Sequence, residues 1–303
     1  MTTLPPSGRQ LELRHGGQAA TVVTVSGGLR TFTVDGREVF DGYGLDAMPD
    51  GGRGQTLIPW PNRVRDGKWT WRGKGRQLPL TEPAQHNAIH GLVRWLEWDV
   101  IEHDESTAVM GVTVAPQTGY EWRLGVRVRY SLADDGLTVE QSITNLSSSD
   151  APVAAGAHPY ITVGTPTVND ALLHLPADTY LPTGDQQIPT GTADVSDTPY
   201  DFREPRPIGD LEIDYAFTDL HRDPDGCFRL RLSHDGREVV LWVDESYPYV
   251  EAFTGDTLAE GRRRRGLGVE PMSAPPNAFA TGESVVVLGP DETWTGHWGI
   301  ASG

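Results

Sequence analysis

The chain is expected to be an all-β protein built as a large antiparallel β-sandwich, and three observations lead there. Glycine (35) and proline (23) divide its 303 residues into short pieces, which leaves little room for helices. Between those breaks apolar and polar residues alternate with a period of two, the signature of strands with one buried face. Asp-Gly pairs separate several of these segments, and both positions of such a turn favour positive φ, the conformation of a two-residue hairpin loop.

Along the chain, the first hairpin turns at Asp35-Gly36. The longest run free of glycine and proline, Leu92 to Met110, is the one place for a longer helix. Its acidic stretch Glu102-His103-Asp104-Glu105-Ser106 reads instead as a turn between Val100-Ile101 and Ala108-Val109-Met110. Trp122, Leu124, Val126, Val128 and Tyr130 then alternate with Arg123, Gly125, Arg127 and Arg129. After the turn Asp134-Asp135-Gly136, Leu137, Val139 and Ile143 alternate with Thr138, Glu140 and Thr144. Residues 162–210, rich in Pro, Thr and Asp, read as long surface connections. Phe228, Leu230 and Leu232 run into Asp235-Gly236 and return as Val239 to Val243. The run Val285 to Leu288, with Trp294 and Trp298, reads as closing strands. No repeat or low-complexity linker interrupts the chain, so residues 1–303 are expected to form one domain.

Nine Trp, nine Tyr and seven Phe supply a sizeable core and exclude disorder. A net charge of −17 repels nucleic acid and anionic membranes, and a neutral polar ligand suits it better than a strongly anionic one. The single cysteine, Cys227, excludes an internal disulfide and is consistent with a reducing compartment. The start MTTLPPSGRQ lacks the basic and apolar regions of a secretory signal, and no window approaches the ~18 consecutive apolar residues of a membrane span. A cytoplasmic location is expected, so the sequon Asn145-Leu146-Ser147 carries no weight.

Chemistry concentrates in a few segments. His158 lies in Ala-Gly-Ala-His-Pro-Tyr, where small residues leave space for a ligand and the proline favours extended backbone. Its imidazole is either a proton carrier near neutral pH or a histidine satisfied by a core hydrogen bond. Glu270, in Gly-Leu-Gly-Val-Glu-Pro-Met, is either a desolvated base or a strand-end acid facing solvent. Asn62-Arg63 follows Ile58-Pro59-Trp60-Pro61 on a proline-stiffened loop; Arg63 suits hydroxyl-rich or carboxylate ligands, or simply covers a tryptophan. His86 and His90 have the i, i+4 spacing of helical zinc ligands, but Pro83 and Gly91 flank them, so a metal is the minority reading and His90 is better taken as a hydrogen-bonding residue. Asp214 is a candidate acceptor for sugar hydroxyls. Arg262 to Arg265 reads as a solvated basic loop. There is no glycine-rich phosphate loop, nucleophile elbow or CxxC motif.

In order, Ile58-Pro59-Trp60-Pro61-Asn62-Arg63, Asp66-Gly67-Lys68-Trp69, His86-Asn87-Ala88-Ile89-His90-Gly91, His158-Pro159-Tyr160, Asp214-Tyr215-Ala216-Phe217, Thr254-Gly255-Asp256, Val269-Glu270-Pro271-Met272 and Pro275-Pro276-Asn277-Ala278-Phe279 resemble the aldose 1-epimerase (galactose mutarotase) family. The resemblance spans about residues 58–280 and implies the galactose mutarotase-like supersandwich. It implies His158 as general acid, Glu270 as general base, and Arg63, His90 and Asp214, with Asn62 and Glu251 beside them, as groups binding a sugar. No metal or cofactor is implied, the expected partner is a small-molecule sugar substrate, and the chain is expected to be a monomer or weak homodimer. The chain departs from the pattern at Glu251, where many members have Gln, and at Asp256, where they have Asn. Alternatives are a hexose-phosphate mutarotase, for which only the arginines at 262–265 offer a phosphate site, and a non-catalytic sugar-binding module.

Overall fold

The computed structural model describes residues 4–303. Two large antiparallel sheets dominate it. The first has twelve strands, with a main path running Gln10–His15, Gln18–Val23, Gly28–Val34, Arg37–Phe40, Tyr160–Ile161, Leu267–Met272, Tyr249–Phe253, Asp214–Leu220, Ala177–Leu181 and Ala193–Asp194. The short strands Thr56–Leu57 and Gly156–Ala157 attach beside Leu267–Met272. The second has nine strands in the order Asp99–His103, Thr107–Val114, Leu124–Ala133, Gly136–Asn145, Thr293–Ser302, Arg237–Val243, Phe228–His234, Leu172–Leu175 and Phe202–Pro207. One buried apolar cluster draws residues from both sheets.

The period-two reading holds in detail. Trp122, Leu124, Val126, Val128, Tyr130, Leu137, Val139 and Ile143 are all buried. Gln141 sits in the same row and is buried too; it donates to the Gly156 carbonyl and accepts from the Tyr247 hydroxyl, so a polar core position is fully bonded. Asp35 and Gly36 (φ 50° and 73°) and Asp235 and Gly236 (47° and 74°) adopt the left-handed pair expected of their turns. The third turn differs: Asp134 and Asp135 make it, while Gly136 already pairs with Ala133. Gly136 has φ 121°, and a Cβ on it would lie 2.5 Å from the Ile300 carbonyl, so both its backbone conformation and the close strand approach require glycine.

Three expectations need correction. Residues 162–210 are not merely surface connections: Leu172–Leu175 and Phe202–Pro207 extend the nine-stranded sheet, and Ala177–Leu181 and Ala193–Asp194 extend the other. The prolines and acids punctuate short strands there. The C-terminal strand Thr293–Ser302 closes the fold from its interior, paired between Gly136–Asn145 and Arg237–Val243, while Val286–Leu288 pairs apart with Ala151–Val153. The arginine run is only partly solvated: Arg263 and Arg265 are exposed, whereas Arg262 and Arg264 are held. Arg264 reaches Asn169, Asp256 and the carbonyls of Gly209 and Leu211, and Arg262 reaches Asp50 and the Gly42 carbonyl. These side chains staple the segment to neighbouring loops.

Candidate active site

Strand register writes the floor of the site. Glu251 lies directly opposite Glu270, and Ala216 opposite Glu251. Gly156 pairs with Met272 and Tyr160 with Gly268, so the same antiparallel register brings His158 opposite Glu270. Opposed residues share a face. Val250, Ala252, Leu267 and Val269, at alternate positions, enter the common core, so His158, Glu270, Glu251 and Asp214 project to the other face of the sheet.

A two-stranded ladder, Arg63–Arg65 with Asn87–Ile89, supplies the facing residues. Asn62 and His90 flank its end in left-handed conformations (φ 51° and 60°), uncommon for non-glycine residues and concentrated at functional sites. They lock each other: the His90 N–H donates to the Asn62 carbonyl at 2.9 Å, and the Asn62 N–H donates to His90 Nδ1 at 3.1 Å. Nδ1 therefore carries the lone pair, and the neutral ring keeps its proton on Nε2. Burial, with Arg94 and His158 nearby, pushes the His90 pKa well below the ordinary histidine value and keeps the ring neutral.

Between these walls is a pocket of about 310 Å³, at the small end of the ~300–1,000 Å³ typical of ligand sites. Asn62, Arg63, His90, His158, Asp214 and Glu270 all line it, so the structure brings together six of the seven residues expected from the sequence. Glu251 does not line it; it is buried behind Asp214 and Glu270. Arg63 is clamped by Glu82 through contacts of 2.9–3.2 Å. Asp256 is occupied outside the lining by Arg264 and Thr254. His86 pairs with Asp66 at the surface, away from His90.

At the bottom, His158 Nε2 and Glu270 Oε1 are 3.2 Å apart and both side chains are about 95% buried. Burial, reinforced by Asp214, pushes the Glu270 carboxyl up to about 8. Burial, reinforced by Arg53 and Arg94, pushes His158 down to about 3. Between those values the pair holds one proton, which rests on Glu270. Glu270 Oε2 is buried without a partner, an acceptor position open to a ligand.

Two pocket supports were not anticipated. Arg53 is fully buried, bonded to Asp41 at 2.7 Å and Asp50 at 3.1 Å, with its guanidinium 3.8 Å from the ring centre of Tyr160. Tyr160 in turn stacks on His158, centroids 5.0 Å apart and planes 2° from parallel. The signal was present in Gly51-Gly52-Arg53-Gly54, whose three glycines all have positive φ and admit close backbone approach. Arg94, on the wall, has no such local signature; its guanidinium lies near Glu270 and Glu82 without bonding either.

His90, His158 and Glu270 place ligand atoms within 4.8 Å of one another, which raises the possibility of a metal. The donor set opposes it. The His90 nitrogen facing the pocket bears a proton, and Arg53, Arg63 and Arg94 already place positive charge around the cluster. The trio suits hydrogen bonding and proton transfer.

The chain is thus a β-sandwich with a carboxyl and an imidazole paired at the base of a polar pocket. Residues 9–301 match the family described as Aldose 1-epimerase, and the chain belongs to that family. It is 32% identical over 289 residues to the uncharacterized protein YihR of Escherichia coli K12, covering 95% of this chain and 91% of that one. It is 29% identical over 214 residues to mouse galactose mutarotase, a match spanning 65% of this chain and 60% of the mouse protein. Among solved structures, the GalM/aldose epimerase homologue from C. elegans superposes with a TM-score of 0.86 at 19% identity, covering 97% of this chain and 98% of that chain. Galactose 1-epimerase from Lactobacillus acidophilus gives 0.82 at 20% identity, covering 96% and 93%. At these identities the superpositions bear on the fold alone, which is galactose mutarotase-like.

Proposed function

We propose that this protein is a cofactor-independent aldose 1-epimerase that interconverts the α and β anomers of a free hexose such as glucose or galactose. The observation that carries the reading is the buried His158–Glu270 contact at the base of a pocket otherwise lined by hydroxyl-binding groups. To open the ring, His158 delivers a proton to the ring oxygen while Glu270 removes the anomeric hydroxyl proton. The resulting state, Glu270 protonated and His158 neutral, is the proton arrangement the pair itself favours. Rotation about C1–C2 presents the other carbonyl face; Glu270 then returns its proton to the carbonyl oxygen and His158 recovers one from the C5 hydroxyl. One proton remains on the pair throughout. Arg63, His90 Nε2–H and Asp214 hold hydroxyls away from C1, leaving C1 free to turn.

A binding module has no use for a buried acid and base in contact with each other. A phosphate site built on residues 262–265 is disfavoured because Arg262 and Arg264 are already held by acids and carbonyls. Polarimetry of freshly dissolved α-glucose and α-galactose tests the proposal, with a hexose 6-phosphate run in parallel. Glu270→Gln and His158→Ala should each lose ~10²–10⁴-fold of the enzymatic rate, about 3–5 kcal/mol of barrier. If no common aldose reaches equilibrium faster with protein than without it, the catalytic reading fails.

A further inference from the structure

Behind the pocket floor lies a group that this mechanism leaves unused. Glu251 is 2% exposed and absent from the lining, while Asp214 in front of it and Glu270 beside it both reach the cavity. Register sets the arrangement, since Glu251 opposes Glu270 on one side and Ala216, two residues from Asp214, on the other. Among the described residues no cation forms an ion pair with Glu251; the carboxyls of Asp214 and Glu270 share its face of the sheet, and its Oε2 is buried without a partner. A buried carboxylate without a paired cation is costly, and two neighbouring ionised carboxylates have no proton to share, so one of the two must be an acid.

We infer that Glu251 is a positioning residue that acts as a buried carboxylic acid, donating to Asp214 and so holding that carboxylate ionised and aimed at the hydroxyls of the bound sugar. The inference rests on the sugar-binding reading of Asp214 given above. Burial raises the Asp214 carboxyl as well, but Asp214 is on the pocket side and the Arg63 cation pulls it down, whereas Glu251 is the deeper of the two and is raised further, so the proton belongs on Glu251. The surrounding groups agree. Burial comes first in pushing Glu251 well above the ordinary range, and the carboxyls of Asp214 and Glu270 push the same way. Arg63, shared with Glu82, pulls against them; Glu82 and Asp256 add negative charge near Asp214. Loss of this proton at alkaline pH sets two carboxylates against each other at the edge of the pocket. Substrate binding then weakens by a step separate from the Glu270 titration, which governs the chemical step.

The test compares wild type, Glu251→Gln and Glu251→Leu. The amide of the glutamine variant donates to Asp214 at every pH; leucine donates at none. At neutral pH, Glu251→Leu should raise KM by about tenfold or more with kcat within about threefold, and Glu251→Gln should restore KM to near wild type. As pH rises, the wild-type KM should climb while that of Glu251→Gln stays flat. Infrared difference spectra of the ligand-free proteins, wild type minus Glu251→Gln at pH 7, should show the carbonyl stretch of one protonated carboxylic acid. That measurement needs no sugar and no turnover, so it separates failure here from failure of the mutarotase proposal. A difference spectrum without that stretch, or parallel KM profiles for wild type and Glu251→Gln, would overturn the inference.

Discussion

Gly52→Ala tests whether the His158 imidazole is held to within an ångström. Gly52 has φ +73°, and a Cβ built on it would lie 2.5 Å from His158 Cδ2. Restoring ordinary contact at 3.4 Å requires about 0.9 Å of movement. His158 has little room to yield: its ring is stacked on Tyr160, whose hydroxyl is anchored to the Gly51 carbonyl at 2.8 Å, and the Arg53 guanidinium sits over the Tyr160 ring. The loop carrying residue 52 therefore shifts, the imidazole tilts away from Glu270, or both. A misplacement near 1 Å in a proton-transfer pair costs on the order of 10²-fold in rate. The left-handed backbone adds roughly 1–2 kcal/mol of strain for an alanine, which lowers the melting temperature by a few degrees in a chain of this size. Polarimetric kinetics and thermal unfolding together give the readout. Expected are a kcat reduced ~30–100-fold, a KM within about threefold, because the pocket wall of Asn62, Arg63 and His90 is untouched, and a cooperative transition. A folded Gly52→Ala protein with kcat within twofold of wild type would refute the claim that the Gly52 approach fixes His158.

Two further outcomes follow from the electrostatics. The pair needs one proton, so kcat/KM should be flat through neutrality and fall about tenfold per pH unit above about 8, where Glu270 deprotonates; a profile still rising at pH 9 after subtraction of the uncatalysed rate would contradict this. The same raised carboxyl carries a stability sign: its favourable contribution is complete below its unfolded value near 4.5 and is lost as pH climbs through about 8. Glu270→Gln should therefore gain stability relative to wild type between pH 5 and pH 9 by up to several kcal/mol, seen as a melting-temperature difference that widens with pH; a constant difference would count against the buried-carboxyl account. Finally, Arg264→Met removes the donor to Asp256, Asn169 and two carbonyls and should destabilise by about 2–4 kcal/mol in urea titrations; a change under about 0.5 kcal/mol, the size of an ordinary surface substitution, would mean that Arg264 staples nothing.

What was legible in the sequence, and what was not, divides along the range of the forces involved. Alternation and Asp-Gly turns are local, so the hairpins around residues 35, 134 and 235 could be read directly; His158 and Glu270 each stayed open between two readings on local sequence, and they and Asp214 became site candidates only through the ordered set of motifs that resembles the family. Long-range pairing left weaker traces. Nothing local in the Pro- and Thr-rich stretch 162–210 announces that Leu172–Leu175 will find Phe228–His234, because the signal is an edge elsewhere in the fold. Charge was the least legible of all. In an acidic chain, four consecutive arginines look solvated until Asp50, Asp256 and Asn169 arrive from segments 8 to 212 residues away. Glu251 shows the same limit at the site itself. Its place beside a sugar-binding motif implied contact with the sugar, whereas strand alternation turns it toward the pocket face and depth then seats it behind Asp214. A side chain one layer back meets the substrate only through the proton it gives its neighbour, and that is why its amide variant, rather than its deletion, is the informative one.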